Sequence, residues 1–260
     1  MPRGARKKSS TGLYHVIFRG INKQVIFTDR EDRLKYLSIL EKYKEVSGYE
    51  IYGYCLMDNH IHLLFKEYEE SIAQSLKRIG SSYVYWYNKK HDRCGHLFQD
   101  RFKSEVVEDD KYLLVVLRYI HQNPLKAGLV KAVSDYEWSS YKEYTNPGNN
   151  ITDTQFILKM FDAAPGKALT LFESFMFQDS RDKCLEYTDG MSNLLSDDLV
   201  IAMIKTETGL DDPLQLGTID RQARNEAIKK LREKGVTIKQ FSQLTGINRG
   251  IVQKAGKGTG

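Results

Sequence analysis

The chain has few cysteines, few prolines and no long apolar run. Only three cysteines occur among the 260 residues, and none forms a CxxC pair. A disulfide-stapled scaffold is therefore excluded, and we expect reduced thiols in a cytoplasmic protein. The longest apolar stretches, such as residues 113–117, fall far short of the roughly 20 residues of a membrane-spanning helix. Residues 1–10 are polar and basic, so we expect neither a signal peptide nor a membrane partner.

Charge is unevenly distributed along the chain. Hydrophobic residues make up 41% and charged residues 28%, which excludes disorder across the whole chain. Residues 1–150 carry 24 basic and 19 acidic residues, residues 151–214 carry 5 and 12, and residues 215–260 carry 10 and 3. Two basic segments therefore flank an acidic one. Basic segments attract polyanions such as nucleic acid, although an ordinary solvated surface has the same composition.

The hydrophobic patterns predict three regions: a folded α+β region at residues 1–145, an acidic helical spacer at 146–214 and a basic region at 215–260. Turn-forming residues at 145–150 mark the first boundary. The predicted strands are 14–19, 49–57, 60–66 and 102–107, and the predicted helices between and after them are 29–47, 71–88 and 109–123. This order predicts a ferredoxin-like α+β sandwich with a central antiparallel sheet, helices on one sheet face and the other face partly open. Pro124 is expected to end the last helix.

His60 and His62 begin the second strand of a predicted hairpin whose turn is Asp58-Asn59. Side chains alternate along a strand, so both imidazoles point to the same face and can coordinate one divalent cation together. The same spacing also fits two half-exposed strand histidines that bind nothing, because a two-residue motif is short.

Tyr119 and Asn123 lie one helical turn apart and share a helix face. Each alone also fits a structural position, a half-buried helix tyrosine and a helix end before proline. Together with His60 and His62 they fit one chemistry: a tyrosine attacks a nucleic-acid phosphate that a divalent metal makes more electrophilic. Two imidazoles and an amide oxygen suit magnesium or manganese as well as zinc.

Four segments, in this order, resemble the HUH single-tyrosine transposases, and within them the REP-associated tyrosine transposase branch. The segments are 14–20 (YHVIFRG), 57–64 (MDNHIHLL), 95–104 (GHLFQDRFKS) and 118–128 (RYIHQNPLKAG). The resemblance covers roughly residues 1–145 and implies an HUH-type catalytic domain. It implies that Tyr119 is the nucleophile and that His60, His62 and Asn123 bind a catalytic divalent metal, magnesium or manganese. One departure is Asp58, where the family commonly has proline.

The resemblance also implies the reaction and the partners. Members of the resembled family cleave single-stranded DNA, leaving a 5′-phosphotyrosine and a free 3′-hydroxyl, and then rejoin strands. Hairpin DNA is the expected substrate, and a homodimer is expected because relatives often act as dimers. The rival interpretation is a non-catalytic, sequence-specific DNA-binding regulator derived from such an enzyme. A third, an RNA-binding module, predicts stacking aromatics on the central strands, where this chain has histidines.

Basic residues near these motifs are candidate contacts to DNA phosphates. They are Arg19, Arg101, Lys103 and Lys126. A solvated strand edge explains Arg101 and Lys103 equally well.

Residues 223–254 fit a helix-turn-helix, with Gly246 permitting the turn. The recognition helix is expected to begin near Asn248 and to turn four polar residues towards the major groove of duplex DNA. These are Asn248, Arg249, Gln253 and Lys254. An ordinary three-helix bundle is the alternative, and the surplus of basic residues favours DNA. We therefore expect a cytoplasmic, nucleoid-associated protein with single-stranded and double-stranded DNA as partners.

Overall fold

A computed structural model describes residues 7–146, 148, 150–179, 184–185 and 197–255, apart from the side chains of Asp198 and Lys239. The chain divides into two compact units, Met1–Tyr187 and Thr188–Gly260. Each unit is described by itself. None of the described helices combines the length and the apolar run that crossing a membrane requires.

A four-stranded antiparallel sheet forms the centre of the first unit. Its strands are β1 (Leu13–Arg19), β2 (Glu50–Met57), β3 (His60–Lys66) and β4 (Lys103–Val107), in the spatial order β2-β3-β1-β4. The connecting helices are α1 (Arg30–Ser47) and α2 (Ile72–Lys90), and α3 (Asp110–Lys126) follows β4. Strand order and connections are those of a ferredoxin-like sandwich, so the predicted fold class is confirmed.

Local sequence signals fix the start of α1 and the start of β3, the strand that carries His60 and His62. Asp29 caps α1 in a reciprocal capping box, in which its side chain accepts a hydrogen bond from the backbone N–H of Asp32 at 3.0 Å. Asp58-Asn59 forms the predicted turn between β2 and β3, and the register pairs Met57 with His60 across it. These pairings begin β3 at His60, so the alternation along the strand is set from its first residue.

The two faces of the sheet are both covered. On one face α1 and α2 bury an aromatic and aliphatic core that includes Ile61, Leu63 and Phe65 of β3, as predicted. The other face is not the partly open surface that the sequence predicts. There α3 packs on β2 and β3 through buried side chains including Leu113, Leu117 and Ile120. The apolar stripe of α3 needs an apolar surface to cover, and this face of the sheet provides it.

Helix α3 continues past Pro124 to Lys126, so the prediction that proline ends it is wrong. A proline inside a helix removes one backbone hydrogen bond. Here that loss falls in the last turn, where the N–H of Ala127 still bonds to the carbonyl of Asn123 at 3.0 Å. The extra turn places Lys126 seven residues after Tyr119, on the same side of the helix.

The helices after α3 do not follow the predicted boundary at residues 145–150. Helices α4 (Tyr141–Thr145), α5 (Thr154–Phe161) and α6 (Pro165–Phe177) belong to the first unit and bury apolar side chains in the core that α3 shares. The predicted spacer at 146–214 therefore contributes to both units. Its helices α5 and α6 pack on the core that α3 shares, and later residues of the spacer pack in the core of the second unit. Residues 180–183 and 186–196 of that spacer lie outside the described residues.

The second unit is a small helical domain. Its helices are α7 (Asp197–Thr208), α8 (Arg221–Glu233), α9 (Ile238–Thr245) and α10 (Arg249–Ala255). Gly246 adopts a left-handed conformation with φ of 69° and ends α9. Buried Ile247 and the side chain of Asn248, which accepts from the N–H of Gly250 at 2.8 Å, complete a three-residue turn into α10. A short turn between two helices is compatible with the predicted helix-turn-helix, which stays a prediction.

Candidate active site

Strand β3 and helix α3 bring the predicted histidine pair and amide together. The ring centroids of His60 and His62 are 5.0 Å apart with an interplanar angle of 82°. Asn123 lies between their outer nitrogens: its Oδ1 is 3.4 Å from Nε2 of His60, and its Nδ2 is 3.2 Å from Nε2 of His62. A side chain from α3 and two from β3, which lie 61 and 63 residues before it in the sequence, thus converge on one point.

A neighbouring side chain orients His60. Its Nδ1 lies 2.6 Å from Oδ1 of Asn59. Because an amide oxygen only accepts, Nδ1 carries the proton and Nε2 of the neutral ring carries a lone pair. That lone pair faces Oδ1 of Asn123, which is also an acceptor. Two acceptors that face each other leave a place for a cation between them.

Burial keeps both histidines neutral. It is the main cause that lowers the pKa of His60, to which the charge of Arg19 adds, while the contact with Asn123 opposes it. Burial also holds the pKa of His62 well below 6.5, and the nearby rings of His15 and His60 lower it further. Neutral imidazoles are the form that binds metal ions.

The donor set fits a divalent metal. Two imidazole nitrogens and one amide oxygen leave coordination positions for phosphate and water. Among the described residues there is no cluster of three or more His, Cys, Asp or Glu side chains arranged to hold a metal. The third donor here is an amide, a group that such a cluster does not include.

Tyr119 lies one turn before Asn123, directly beside the histidines. Only 6% of its surface is exposed. Its ring meets those of His15 and His62 edge-on, with centroids 5.8 Å and 5.7 Å away. The ammonium of Lys126 lies 5.2 Å from the centre of the Tyr119 ring. The tyrosine therefore stands between the histidine pair and a cation.

The sheet register places two of the predicted basic residues on the same side as the histidines. Arg19 pairs with His60, and Lys103 pairs with Ile17, which in turn pairs with His62. Arg101 precedes β4 and lines a groove against α2 with a volume of about 800 Å³. The strand begins only at Lys103, so alternation does not align the two side chains.

The carboxylate of Asp58, where the resemblance has proline, is paired with Arg33. The Arg33 guanidinium is almost buried and also lies against the ring of Phe27, 5.5 Å from its centre. The backbone carbonyl of Asp58 accepts a hydrogen bond from Ile26 at 2.8 Å. Asp58 is thus held within the turn by Arg33, and its charge is the smallest of the influences on the pKa of His60, which it raises.

Sequence reasoning did not assign two residues that contact the histidines. The sequence predicts Asn59 only as part of the turn, and His15 as a structural histidine or a proton carrier, without a contact to His62. His15 lies on β1, is fully buried, and places its Nε2 3.0 Å from Nδ1 of His62. The signal for this contact is the pairing register of β1 and β3, which alternation within one strand does not reveal.

In the second unit the four predicted DNA-contact residues lie at or just before α10. Asn248, Arg249, Gln253 and Lys254 are all exposed. Asn248 precedes the helix and the other three lie in it. Their exposure is compatible with contact to a groove, and it is also the ordinary state of polar helix residues.

Comparison with known proteins gives a family match for the first part of the chain. Residues 8–123 match the family described as Transposase IS200 like. The chain is also similar to a protein of Haemophilus influenzae named "Putative REP-associated tyrosine transposase", with 29% identity over 104 residues. That match covers 36% of this chain and 59% of the relative, so the chain spans about three fifths of the relative's length.

A solved structure gives a weaker likeness. It is described as a REP-associated tyrosine transposase bound to a REP hairpin. The two chains are 19% identical with a TM-score of 0.48, and the match covers 60% of this chain and 96% of the other.

Proposed function

We propose that this chain, whose residues 8–123 match the family described as Transposase IS200 like, is a metal-dependent DNA transesterase that cleaves and rejoins single-stranded DNA. The observation that supports it most strongly is the convergence of His60, His62 and Asn123 beside Tyr119. The proposed substrate is DNA that folds into a hairpin, as the family resemblance implies.

His60, His62 and Asn123 are the proposed ligands of a divalent ion, magnesium or manganese. When bound, such an ion acts as a Lewis acid that withdraws charge from the scissile phosphate. Asn59 fixes the ring of His60 so that its free nitrogen points towards Asn123. The neutral state of both rings, which burial enforces, leaves their lone pairs available.

Tyr119 is the proposed nucleophile. Its hydroxyl oxygen forms a bond to phosphorus while the bond from phosphorus to the 3′ oxygen breaks. The phenolic proton is released and the departing 3′ oxygen takes up a proton, so the products are a 5′-phosphotyrosine and a 3′-hydroxyl. Attack by the same or another 3′-hydroxyl reverses the step and rejoins a strand.

Basic side chains around the tyrosine are proposed to hold the DNA backbone. Lys126 lies over the Tyr119 ring, and Arg19 and Lys103 flank the histidines on the sheet. Arg101, beside the α2 groove, is proposed to contact the strand farther from the cleaved phosphate. Contacts to phosphates position a strand without reading its sequence.

The second unit is proposed to bind double-stranded DNA through α10. A duplex-binding assay with Arg249→Ala tests this, since the loss of one groove contact weakens specific binding by about 1–3 kcal/mol. Unchanged binding of specific and unrelated duplexes would remove α10 from the interface.

The proposed reaction is tested by incubating the full chain with a hairpin oligonucleotide that carries single-stranded flanks, with and without Mn²⁺, on a denaturing gel. We expect a metal-dependent protein–DNA adduct that disappears in Tyr119→Phe. Tyr112→Phe, which removes the hydroxyl of another α3 tyrosine seven residues earlier, should keep the adduct. Tight binding without any adduct would instead favour the non-catalytic DNA-binding regulator.

A further inference from the structure

His15 and His62 form a hydrogen-bonded pair inside the sheet. They lie on adjacent antiparallel strands, and the partner of His62 on β1 is Ile17, two residues from His15. Both side chains therefore point to the same face. Their ring centroids are 5.3 Å apart, the rings are nearly parallel, and His15 Nε2 lies 3.0 Å from His62 Nδ1.

One proton lies between these two nitrogens, and its position decides what His62 can do. If it is on Nδ1 of His62, the Nε2 of that ring has a free lone pair. If it is on Nε2 of His15, the neutral ring of His62 carries its own proton on Nε2 and cannot bind a metal there. The Nδ2 of Asn123, which can only donate, lies 3.2 Å from His62 Nε2. Hence Nε2 is the acceptor, and Nδ1 of His62 donates to His15.

This assignment also determines which nitrogen of His15 carries the proton. If its Nε2 accepts, its own proton is on Nδ1. That atom is buried and has no hydrogen-bond partner among the described residues. A buried donor without a partner is unfavourable, and such groups are uncommon in folded proteins.

We infer that His15 is a positioning residue that holds the ring of His62 in the tautomer required for metal binding, an inference that rests on the proposed function. Each proposed histidine ligand then has an acceptor on its inner nitrogen: Asn59 for His60 and His15 for His62. Partners of this kind orient metal-binding histidines, and their loss typically weakens metal affinity by about 10- to 100-fold.

Metal binding to the full chain without DNA is the first test, with Mn²⁺ as the probe in calorimetric titration. We expect His15→Leu, which removes the acceptor, to raise the Kd by about 10- to 100-fold. His15→Gln places an amide oxygen near the former Nε2 and should recover most of the affinity. His121→Leu is the matched control, since His121 is also a fully buried histidine but bonds to Ser140. Equal affinity of His15→Leu and the unchanged chain would overturn the inference.

A measurement that needs neither metal nor variant separates this inference from the proposed function. Nitrogen-15 NMR of the metal-free chain reads the tautomer of each histidine. We expect the proton of His62 on Nδ1, and in His15→Leu a shift towards Nε2. A proton on Nε2 in the unchanged chain would overturn the role of His15. Absence of Mn²⁺ binding with the Nδ1 tautomer present would contradict the metal site and leave the positioning role intact.

Discussion

Gln122 and Asn123 are neighbouring amides on α3 that meet different surroundings. The Gln122 side chain is buried and donates to the carbonyls of Met176 at 2.9 Å and Gln178 at 2.8 Å, tying α3 to the end of α6. Asn123 faces the histidines instead. A rotation of 100° around the helix therefore separates a structural amide from a proposed metal ligand.

This pair gives a prediction for two matched variants. Asn123→Leu should weaken Mn²⁺ binding by at least about tenfold and change the free energy of unfolding little. Gln122→Leu should leave Mn²⁺ affinity unchanged but lower the free energy of unfolding by about 1–3 kcal/mol, because the buried carbonyl of Met176 and the partly buried carbonyl of Gln178 lose their donor. Titration calorimetry and urea unfolding measure the two effects. Loss of metal affinity in both variants alike would contradict the separation of roles.

At the level of single residues, sequence reasoning selected the side chains that converge but not those that orient them. His60, His62, Tyr119 and Asn123 follow from alternation, from helical spacing and from the family resemblance, and the fold brings them together. Their chemical roles stay predictions. The contact of His15 with His62 could not be predicted, because it depends on the pairing of β1 with β3. A single sequence does not specify that register directly.

Among the elements, the close approach of α3 to β2 determines where Tyr119 and Asn123 stand. The register of β2 shifts between Ile51 and Gly53, and Gly53 then faces α3. A Cβ atom on Gly53 would lie 2.5 Å from Cδ1 of buried Leu117. Glycine is needed here because no larger residue fits between the strand and the helix.

Gly53→Ala therefore tests whether the close contact between β2 and α3 positions the helix. We expect the free energy of unfolding to fall by about 1–3 kcal/mol, as overpacking does in a tight core. Mn²⁺ binding should weaken as well, since Asn123 moves with the helix. Gly166→Ala in α6 is the control, because no atom lies within 4 Å of its added Cβ. Equal stability of both variants in urea unfolding would contradict this account of the strand–helix contact.

Most elements of the first unit could be predicted from local signals. The predicted helix at 29–47 and the turn at Asp58-Asn59 are confirmed, and so is the family resemblance over residues 8–123. The end of α3 could not be predicted from Pro124 alone, because a proline in the last turn costs little there. Nor could the covered face of the sheet, since which helices pack on it depends on contacts distant in sequence.

The whole molecule contains histidines that folding removes from water. Burial lowers the pKa of His15 to about 3 and that of His121 to about 3, against about 6.5 in an unfolded chain. Above pH 6.5 these rings are neutral in both states and do not make stability depend on pH. Below it the unfolded chain binds protons that the folded chain does not, so the folded state loses stability as the pH falls.

Urea unfolding of the metal-free chain should show this loss between pH 6.5 and 5, a range above the ordinary pKa of carboxylates. Each such histidine lowers the free energy of unfolding by up to about 1.4 kcal/mol per pH unit. His121→Asn should make the dependence shallower for the first unit. A constant unfolding midpoint from pH 7.5 to pH 5 would contradict the buried, neutral state of these rings.

The central claim is that Tyr119 becomes covalently linked to DNA, and peptide mapping of the adduct by mass spectrometry tests it most directly. The full chain would be trapped on a hairpin oligonucleotide with Mn²⁺, digested with protease and nuclease, and searched for a nucleotide on tyrosine. The account predicts a 5′-phosphotyrosyl link on Tyr119 that is absent when His62 is replaced by alanine. A link on any other residue, or one that forms without His62, would contradict it.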